Sequence, residues 1–399
     1  MGLHGDWMMI PVSYGTLSAD QAGRAGTVGP ALALGVLTFL TIVDLFAAQA
    51  ILPALTLAYG TSPAVMGLAV NACTIGMALS GLAMSVLGSR VPSRTGIAVS
   101  LALLTLPTML LATMPALPWF ALLRVTQGLC MAAAFTLTLA EAGGRGHGIA
   151  AGAVAACITG NVASNLLGRL LAAAVADHGG LAATFLVFAG LNLAGCVLAL
   201  GTLRSSPRTS PTRLRWPGGV LRPPHLRAAY AIGFCILFAF IGVFTYVNFV
   251  LVSPAFGLPM MALGAVYLVF LPSIITTPWA GRIAGSLGPT AAVRLGLGLA
   301  LIGLPALLAG HLAVVLAGLS LIAIGTFLAQ AVVAGYVGSQ AGKDRAAASG
   351  LYLACYFVGG LAGSLVVGLI FDGLGWPASA GAVGCVLGIA AWLARWLRA

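Results

Sequence analysis

The chain has 399 residues, of which 60% are hydrophobic and only 6% carry a formal charge. Soluble globular proteins carry roughly a quarter charged residues, so this composition excludes a soluble protein and indicates one that lies in a lipid bilayer. The formal net charge of +11 would point to a nucleic-acid partner only if the basic residues formed one patch. Their positions, given below, indicate membrane topology instead, and no nucleic-acid partner is predicted.

Long apolar runs make up most of the sequence. A run of roughly 20 apolar residues is long enough to cross a bilayer as a helix, and residues that favour turns separate these runs. The sequence predicts twelve spans, near residues 31–54, 64–87, 95–113, 118–140, 147–173, 181–203, 228–252, 260–284, 290–309, 311–334, 346–371 and 376–396.

The basic residues predict the orientation of these spans, because Lys and Arg are retained on the cytoplasmic side of a membrane. Sixteen of the eighteen Lys and Arg residues fall on one side, together with both termini and the central loop. The loops predicted for the other side contain neither Lys nor Arg. We therefore expect both termini to lie in the cytoplasm.

A Pro- and Arg-rich segment near the midpoint of the chain separates six spans from six. We expect a disordered cytoplasmic N-terminal tail at residues 1–29, a first six-helix bundle at 30–203, a cytoplasmic linker at 204–227 and a second six-helix bundle at 228–399. The predicted fold class is an all-α integral membrane protein with two bundles.

The two halves resemble each other in sequence. At an offset of 195 residues, three pairs of residues align: Gly168 with Gly363, Asp177 with Asp372, and Gly180 with Gly375. Repeats of this kind are typical of transporters in which two bundles rock about a central cavity. Small residues also recur at every fourth position of span five, and this smooth face predicts close helix packing at Gly160, Ser164, Gly168 and the equivalent Gly363.

Three charged residues lie deep within predicted spans. Asp44 is the only acid in the middle of a span, and Arg124 and Arg169 are the two basic residues that lie neither in a loop nor at the cytoplasmic end of a span. A charge at mid-bilayer depth costs about 2.5–3.5 kcal/mol and is usually paired or faces water. All three lie in the outer half of their spans, so they could meet in one cavity. Gln49 falls on a different face of span one and is expected only to pack.

Two interpretations of this group remain open. A static buried salt bridge would order the first bundle, although buried ion pairs seldom add net stability. Alternatively, burial disfavours the charged form of a carboxyl group and a neighbouring Arg favours it, so Asp44 could change its protonation during a transport cycle. The second interpretation assigns proton coupling to Asp44, Arg124 and Arg169.

Three stretches carry a family motif. The loop after span two reads Ser85-Val-Leu-Gly-Ser89-Arg90-Val-Pro92-Ser93-Arg94, span four contains "RVTQG" at 124–128, and span five contains "GNVASNLLGR" at 160–169. With the twelve spans and the repeat, these stretches resemble the major facilitator superfamily, and most closely its bacterial drug or sugar efflux branch of proton antiporters. The loop motif of that superfamily is G-x-x-x-D-R-x-G-R-R. Here only Arg90 and Arg94 match, and Ser89 replaces the acid.

The resemblance implies a function and a location. It implies proton-coupled export of a small drug-like or sugar-like compound across the bacterial cytoplasmic (inner) membrane, by a monomer without a cofactor. It also implies that Arg90 and Arg94 belong to a cytoplasmic gate loop. An importer with the same fold remains an alternative, and a non-transporting scaffold or receptor is a further one. An intramembrane enzyme is not predicted, because the histidines lie in loops or at span ends and no HExxH or GxSxG stretch occurs.

Polar and aromatic side chains within the spans predict the substrate cavity. An uncharged or weakly cationic amphipathic substrate suits this lining. We expect the cavity to be lined by Gln127, Asn161, Asn165, Asn248, Gln330, Tyr352 and Tyr356.

Overall fold

The computed structural model describes residues 16–87, 90–143, 147–203, 221–341 and 345–397, which are helical apart from short turns. The helices are α1 (Thr16–Ala50), α2 (Leu52–Tyr59), α3 (Pro63–Asn71), α4 (Cys73–Leu87), α5 (Ser93–Leu111), α6 (Leu117–Gly143), α7 (His147–Thr202), α8 (Pro224–Val252), α9 (Met260–Val266), α10 (Leu271–Thr276), α11 (Ala280–Leu287), α12 (Pro289–Ala306), α13 (Leu312–Gln340) and α14 (Arg345–Leu393).

Ten segments of the described chain are long and apolar enough to cross a membrane. Two of them, of 47 and 50 residues, are more than twice as long as one crossing requires. The first lies in α7 and is interrupted at Gly180, and the second lies in α14 and is interrupted at Gly375. Both glycines have a positive φ, near 80°, which a residue with a side chain rarely adopts. Division at these glycines gives twelve segments, so twelve crossings remain a prediction that the two breaks support.

The two breaks also show the internal repeat in three dimensions. Gly180 and Gly375 are the residues aligned by the sequence offset, and each ends a long helix with nearly the same backbone angles. The chain reverses direction at Gly60, Gly180 and Gly375, and we name the side of the molecule that carries these three residues the turn end. The side at which Leu203 and Arg222 flank the central linker is the linker end.

Each half packs around long helix pairs. In the first half α1 packs against α7, and in the second half α8 packs against α14 and α12 against α13. Contacts between the halves join α14 to α3 and α4, and α7 to α9. The site described below lies between these two contact regions.

The predicted packing residues lie at close helix approaches. A Cβ atom added at Gly160 would collide with the main-chain oxygen of Gly35 in α1, and one added at Gly168 would lie 2.7 Å from Val43. One added at Gly363 would lie 2.7 Å from the Cα atom of Phe238 in α8. Ser164 is buried and donates a hydrogen bond to the carbonyl oxygen of Asn161.

The predicted tail and linker differ in part from the structure. Residues 16–29, expected in a disordered tail, form the start of α1, and the first proline that could interrupt them is Pro30. Residues 224–227, expected in the linker, form the first turn of α8, where Pro224 is favoured because the first helical N–H has no partner anyway. Residues 1–15 and 204–220 lie outside the described residues.

The predicted gate loop is only partly described, since residues 88–89 lie outside the described residues. Arg90 is exposed. Arg94 donates two hydrogen bonds, of 3.2 and 2.6 Å, to the carbonyl oxygen of Leu200. That carbonyl belongs to the last turn of α7, where main-chain acceptors lack helical partners. Arg94 therefore ties α5 to α7 within the first half, and its role in gating stays a prediction.

Candidate functional site

A cavity lies between the two halves. Its walls come from both halves and combine apolar rings with a few amides, as expected of a small-molecule site. The lining residues are Ile42, Leu45, Phe46, Thr74, Met77, Phe135, Asn161, Asn165, Leu237, Phe240, Ile241, Phe327, Gln330, Leu353, Tyr356 and Phe357.

Four of the seven residues predicted for the cavity lie in its wall: Asn161, Asn165, Gln330 and Tyr356. The other three lie elsewhere, because their side chains turn towards partners inside the bundles. Gln127 bonds to Arg124 and Thr108, and Asn248 bonds to the main chain of Gln49. Tyr352 is buried behind Tyr356, with ring centroids 6.0 Å apart.

Asp44 lies on α1 among residues that line the cavity, but its own side chain points into the first half. Only 3% of the residue is exposed. Asn192 and Thr108 are the hydrogen-bonding side chains beside its carboxyl group, and Arg124 is the neighbouring charge. Among the described residues, the oxygen Oδ2 has no hydrogen-bond partner. A buried carboxylate with an unsatisfied oxygen is costly, and a proton on the group would remove the charge that causes this cost.

Arg124 is held by the main chain of two helices. Its Nε donates to the carbonyl oxygen of Val70 at 2.8 Å, and its Nη1 donates to the carbonyl oxygen of Asp44 at 3.2 Å. Nη1 also bonds to Gln127 Oε1 at 2.7 Å, and Nη2 to Cys73 Sγ at 3.2 Å. The carbonyl of Val70 is available because the helix is interrupted between α3 and α4. Arg124 therefore contacts the backbone of Asp44, which differs from the direct salt bridge considered from the sequence.

Arg169 lies apart from this pair. It is fully buried, and its Nη2 donates a short hydrogen bond to Gln49 Oε1. Its guanidinium carbon is 4.0 Å from the ring centroid of Tyr267 and between 5.4 and 5.9 Å from those of Phe46, Phe244 and Phe270. The expectation that Asp44 and both arginines form one group is therefore wrong for Arg169, because Gln49 and aromatic rings surround it instead.

Gln49 belongs to a polar cluster that joins the halves, although it was expected only to pack. Its Nε2 donates to Asn71 Oδ1 at 2.7 Å, and its carbonyl oxygen accepts from Asn248 Nδ2 at 3.1 Å. The residue four positions later is Pro53, which has no N–H for that carbonyl. Asn71 Nδ2 bonds in turn to Thr245 at 3.3 Å and to Ser364 at 3.1 Å. We call Gln49, Asn71, Thr245, Asn248 and Ser364 the cross-half network.

A second contact between the halves lies nearer the turn end. The carboxylate of Asp372 accepts a 3.3 Å hydrogen bond from the main-chain N–H of Ala64, in the first turn of α3. A carboxylate is favoured there because helix N-termini carry a partial positive charge and free N–H groups. Together with the cross-half network, this contact closes the turn end.

Sequence reasoning missed Asn71 and Asn192, and it expected Gln49 only to pack. Each is a single polar side chain in an apolar run, which is also what an isolated interface residue looks like. One signal was present for Gln49, since a proline four residues later leaves its carbonyl oxygen without a helical donor. Tyr267 lies in a one-turn 3-10 helix, Tyr267–Phe270, that interrupts its span. Such interruptions are frequent at binding sites.

An all-helical fold with an internal repeat and a cavity between its halves defines the class of secondary transporters. The family model of the Major Facilitator Superfamily matches residues 34–343. The chain therefore belongs to the Major Facilitator Superfamily.

Several curated relatives are named as transporters. The chain is 23% identical to the uncharacterized MFS-type transporter YybF of Bacillus subtilis, over 90% of this chain and 91% of that one. It is 24% identical to the inner membrane transport protein YnfM of Escherichia coli, over 86% and 84%.

Solved structures show the same fold. A bacterial homolog of the human lysosomal transporter Spinster, in an inward-facing and occupied conformation, matches with a TM-score of 0.72 and 15% identity, over 92% of this chain and 93% of that one. The nucleoside transporter NupG matches with a TM-score of 0.72 and 13% identity, over 93% and 100%. These identities support the fold and carry no information on the substrate.

Proposed function

We propose that this protein is a proton-coupled exporter of a small organic compound that works by alternating access, with Asp44 as the proton-carrying group. We further propose that it acts as a monomer in the bacterial inner membrane, with its linker end in the cytoplasm. The basic residues on the linker side support this orientation. The inner-membrane relative from Escherichia coli supports the location.

The observation that carries the proposal is the environment of Asp44. The carboxyl group is buried in the first bundle, and the neighbouring charge is that of Arg124. Oδ2 has no hydrogen-bond partner in the part of the chain that the structure describes. Ionised, the group leaves one oxygen unsatisfied but is attracted by Arg124. Protonated, it loses that attraction but removes a buried charge. The two forms therefore favour different surroundings, and a change of conformation can shift the balance between them.

Arg124 connects Asp44, through hydrogen bonds, to the region where the halves contact each other. It binds the carbonyl oxygens of Asp44 in α1 and Val70 in α3. Asn71 follows Val70 in the sequence, and Gln49 lies on α1 together with Asp44. Asn71 and Gln49 both belong to the cross-half network. A proton on Asp44 weakens the hold of Arg124 on this region. We propose that the network then opens and exposes the cavity at the turn end.

Export is favoured over import because Gly160 and Gly168 of span five match two glycines of the family's antiporter motif, G-x-x-x-G-P-x-x-G-G, although Asn165 replaces its proline. The test is transport of a panel of small organic compounds by proteoliposomes with a pH gradient imposed in either direction. An exporter moves substrate against the direction in which protons flow, whereas a symporter moves substrate with them. Transport that is the same with and without a gradient of either sign would contradict proton coupling.

A further inference from the structure

Arg169 is a buried cation that no acidic side chain is found to balance within the described residues. It is fully buried, and among the described residues its hydrogen-bond acceptors are the amide oxygen of Gln49 and the hydroxyl oxygen of Tyr267. Within the same residues, Nε and Nη1 have no hydrogen-bond partner. Charged groups within a membrane span are usually paired or mark a substrate pathway. The two unsatisfied N–H donors of Arg169 are therefore available to an acceptor that the described part of the chain does not supply.

The central cavity lies next to this cation. Asn165 lines the cavity and is one helical turn before Arg169 on α7. Phe46 also lines the cavity, and its ring centroid is 5.4 Å from the guanidinium carbon of Arg169. Phe240, a third lining residue, packs on Phe270 at 5.8 Å, and Phe270 lies 5.5 Å from the same carbon. One layer of aromatic rings thus separates Arg169 from the cavity.

The layer is built from both halves, so relative movement of the halves would open it. Arg169 and Phe46 belong to the first half, and Tyr267, Phe244 and Phe270 belong to the second. Ring faces attract a cation but cannot accept its N–H groups as a carboxylate does. A guanidinium binds a carboxylate through two parallel hydrogen bonds, which are among the strongest that side chains form.

We propose that Arg169 binds the anionic group of the substrate, and that the substrates are organic anions with an aromatic or apolar body. The body would lie against Phe46 and Phe240, and the carboxylate would replace the second-half rings at Arg169. This inference rests on the proposed transport function, with the central cavity as the substrate site. It replaces the uncharged or weakly cationic substrate expected from the sequence, since that expectation rested on the polar and aromatic lining and did not include Arg169.

The test compares pairs of probes that differ only in charge. We would measure binding of 2-naphthoate and 2-naphthamide, benzoate and benzamide, and indole-3-acetate and indole-3-acetamide to the purified full-length protein. Binding is read from the rise of the thermal unfolding midpoint with ligand concentration. At neutral pH the wild type should bind at least one carboxylate roughly tenfold more tightly than its amide, as a charge-assisted hydrogen bond requires.

Two substitutions should remove this preference. Arg169→Gln deletes the cation. Gln49→Glu keeps the size of the side chain but supplies Arg169 with an internal carboxylate, so it tests the proposal even if Arg169→Gln does not fold. Arg294→Gln is the matched control, because it also removes one positive charge, from an exposed residue bonded to Ala391. It should leave the preference unchanged.

Three results would overturn the proposal: no carboxylate is preferred by the wild type, the preference survives Gln49→Glu, or Arg294→Gln removes it as well. The measurement involves no membrane and no pH gradient. Its failure would therefore leave proton-coupled export standing, and failure of coupling in proteoliposomes would leave the anion site standing.

Discussion

At the scale of single residues, the buried polar side chains divide into two groups with different partners. Asp44 and Arg124 lie with Thr108, Gln127 and Asn192 inside the first bundle. Gln49 and Arg169 lie at the boundary with the second bundle, where Asn248 and Tyr267 meet them. A change at the first group should alter coupling, whereas a change at the second should alter how the halves hold together.

A substitution at Gln49 tests how much the second group contributes to stability. Gln49→Leu keeps the approximate size of the side chain but removes one acceptor of Arg169 and the donor to Asn71. Because a buried charged donor then lacks one of its partners, we expect the free energy of unfolding to fall by about 2–4 kcal/mol. The measurement is denaturant unfolding in detergent. Gln330→Leu is the control, since this cavity-lining amide is half-buried, and it should cost about 1 kcal/mol or less.

Substitutions at Arg124 and Asp44 distinguish two interpretations of the first group: main-chain contacts made by Arg124, and a direct salt bridge between the two side chains. Arg124→Gln leaves the carbonyl oxygen of Val70 with only the weak thiol donor of Cys73, at 3.5 Å, so we expect less protein in the membrane. Asp44→Asn should leave the amount of protein near that of the wild type. The double mutant should resemble Arg124→Gln, because neutralising Asp44 does not restore the bond to Val70. Recovery of wild-type abundance in the double mutant would indicate a direct salt bridge instead.

At the scale of elements, glycine decides how closely the helices approach. Gly160 and Gly168 both lie on α7 against α1, where an added Cβ atom has no room. The second segment of α7, after the break at Gly180, carries Gly190, whose Cβ position is open. Replacing glycine within a helix changes the helix propensity by the same amount at all three positions. Differences in stability among the three variants therefore report packing alone.

Gly160→Leu and Gly168→Leu should each reduce folded protein strongly, by about 3 kcal/mol or more of the free energy of unfolding, as large overpacking changes do. Gly190→Leu should be nearly neutral. Size-exclusion profiles and thermal midpoints of the three purified variants would measure this. Equal behaviour of all three would mean that α1 and α7 do not pack closely at these sites.

Interrupted helices are the second feature at this scale. Breaks between α1 and α2, between α3 and α4, and at Tyr267–Phe270 all lie near the cross-half network. Each break frees main-chain carbonyl groups that need donors within the membrane. Asn248 donates a hydrogen bond to the carbonyl oxygen of Gln49, and Arg124 donates one to the carbonyl oxygen of Val70. The polar residues of the site thus also satisfy the backbone.

At the scale of the whole molecule, the orientation remains a prediction from the basic residues. Single cysteines introduced at Ser62 and Pro254 in a background without the seven native cysteines should react with an impermeant reagent added outside intact cells. A cysteine at Arg213 in the linker should react only after the cells are opened. Reaction at Arg213 in intact cells would place the linker outside.

The overall architecture was predictable from the sequence because its signals are local or repeated. Apolar length identifies the spans, and the offset that pairs Gly180 with Gly375 marks the two breaks. The site was predictable only in part, because its pairings depend on how each helix rotates. Asp44 and Arg124 come together as expected. The partner of Arg169 could not be inferred, since Tyr267 lies almost a hundred residues later and reaches Arg169 only when the two halves close.

The central claim is that Asp44 carries the coupled proton. The most direct measurement compares two kinds of transport by Asp44→Asn in proteoliposomes, with a substrate taken from the compound panel. Counterflow, which exchanges substrate without a gradient, should remain near the wild-type rate, because the cavity is intact. Transport driven by a pH gradient should fall to the level of liposomes without protein. Wild-type gradient-driven transport by Asp44→Asn would contradict the account.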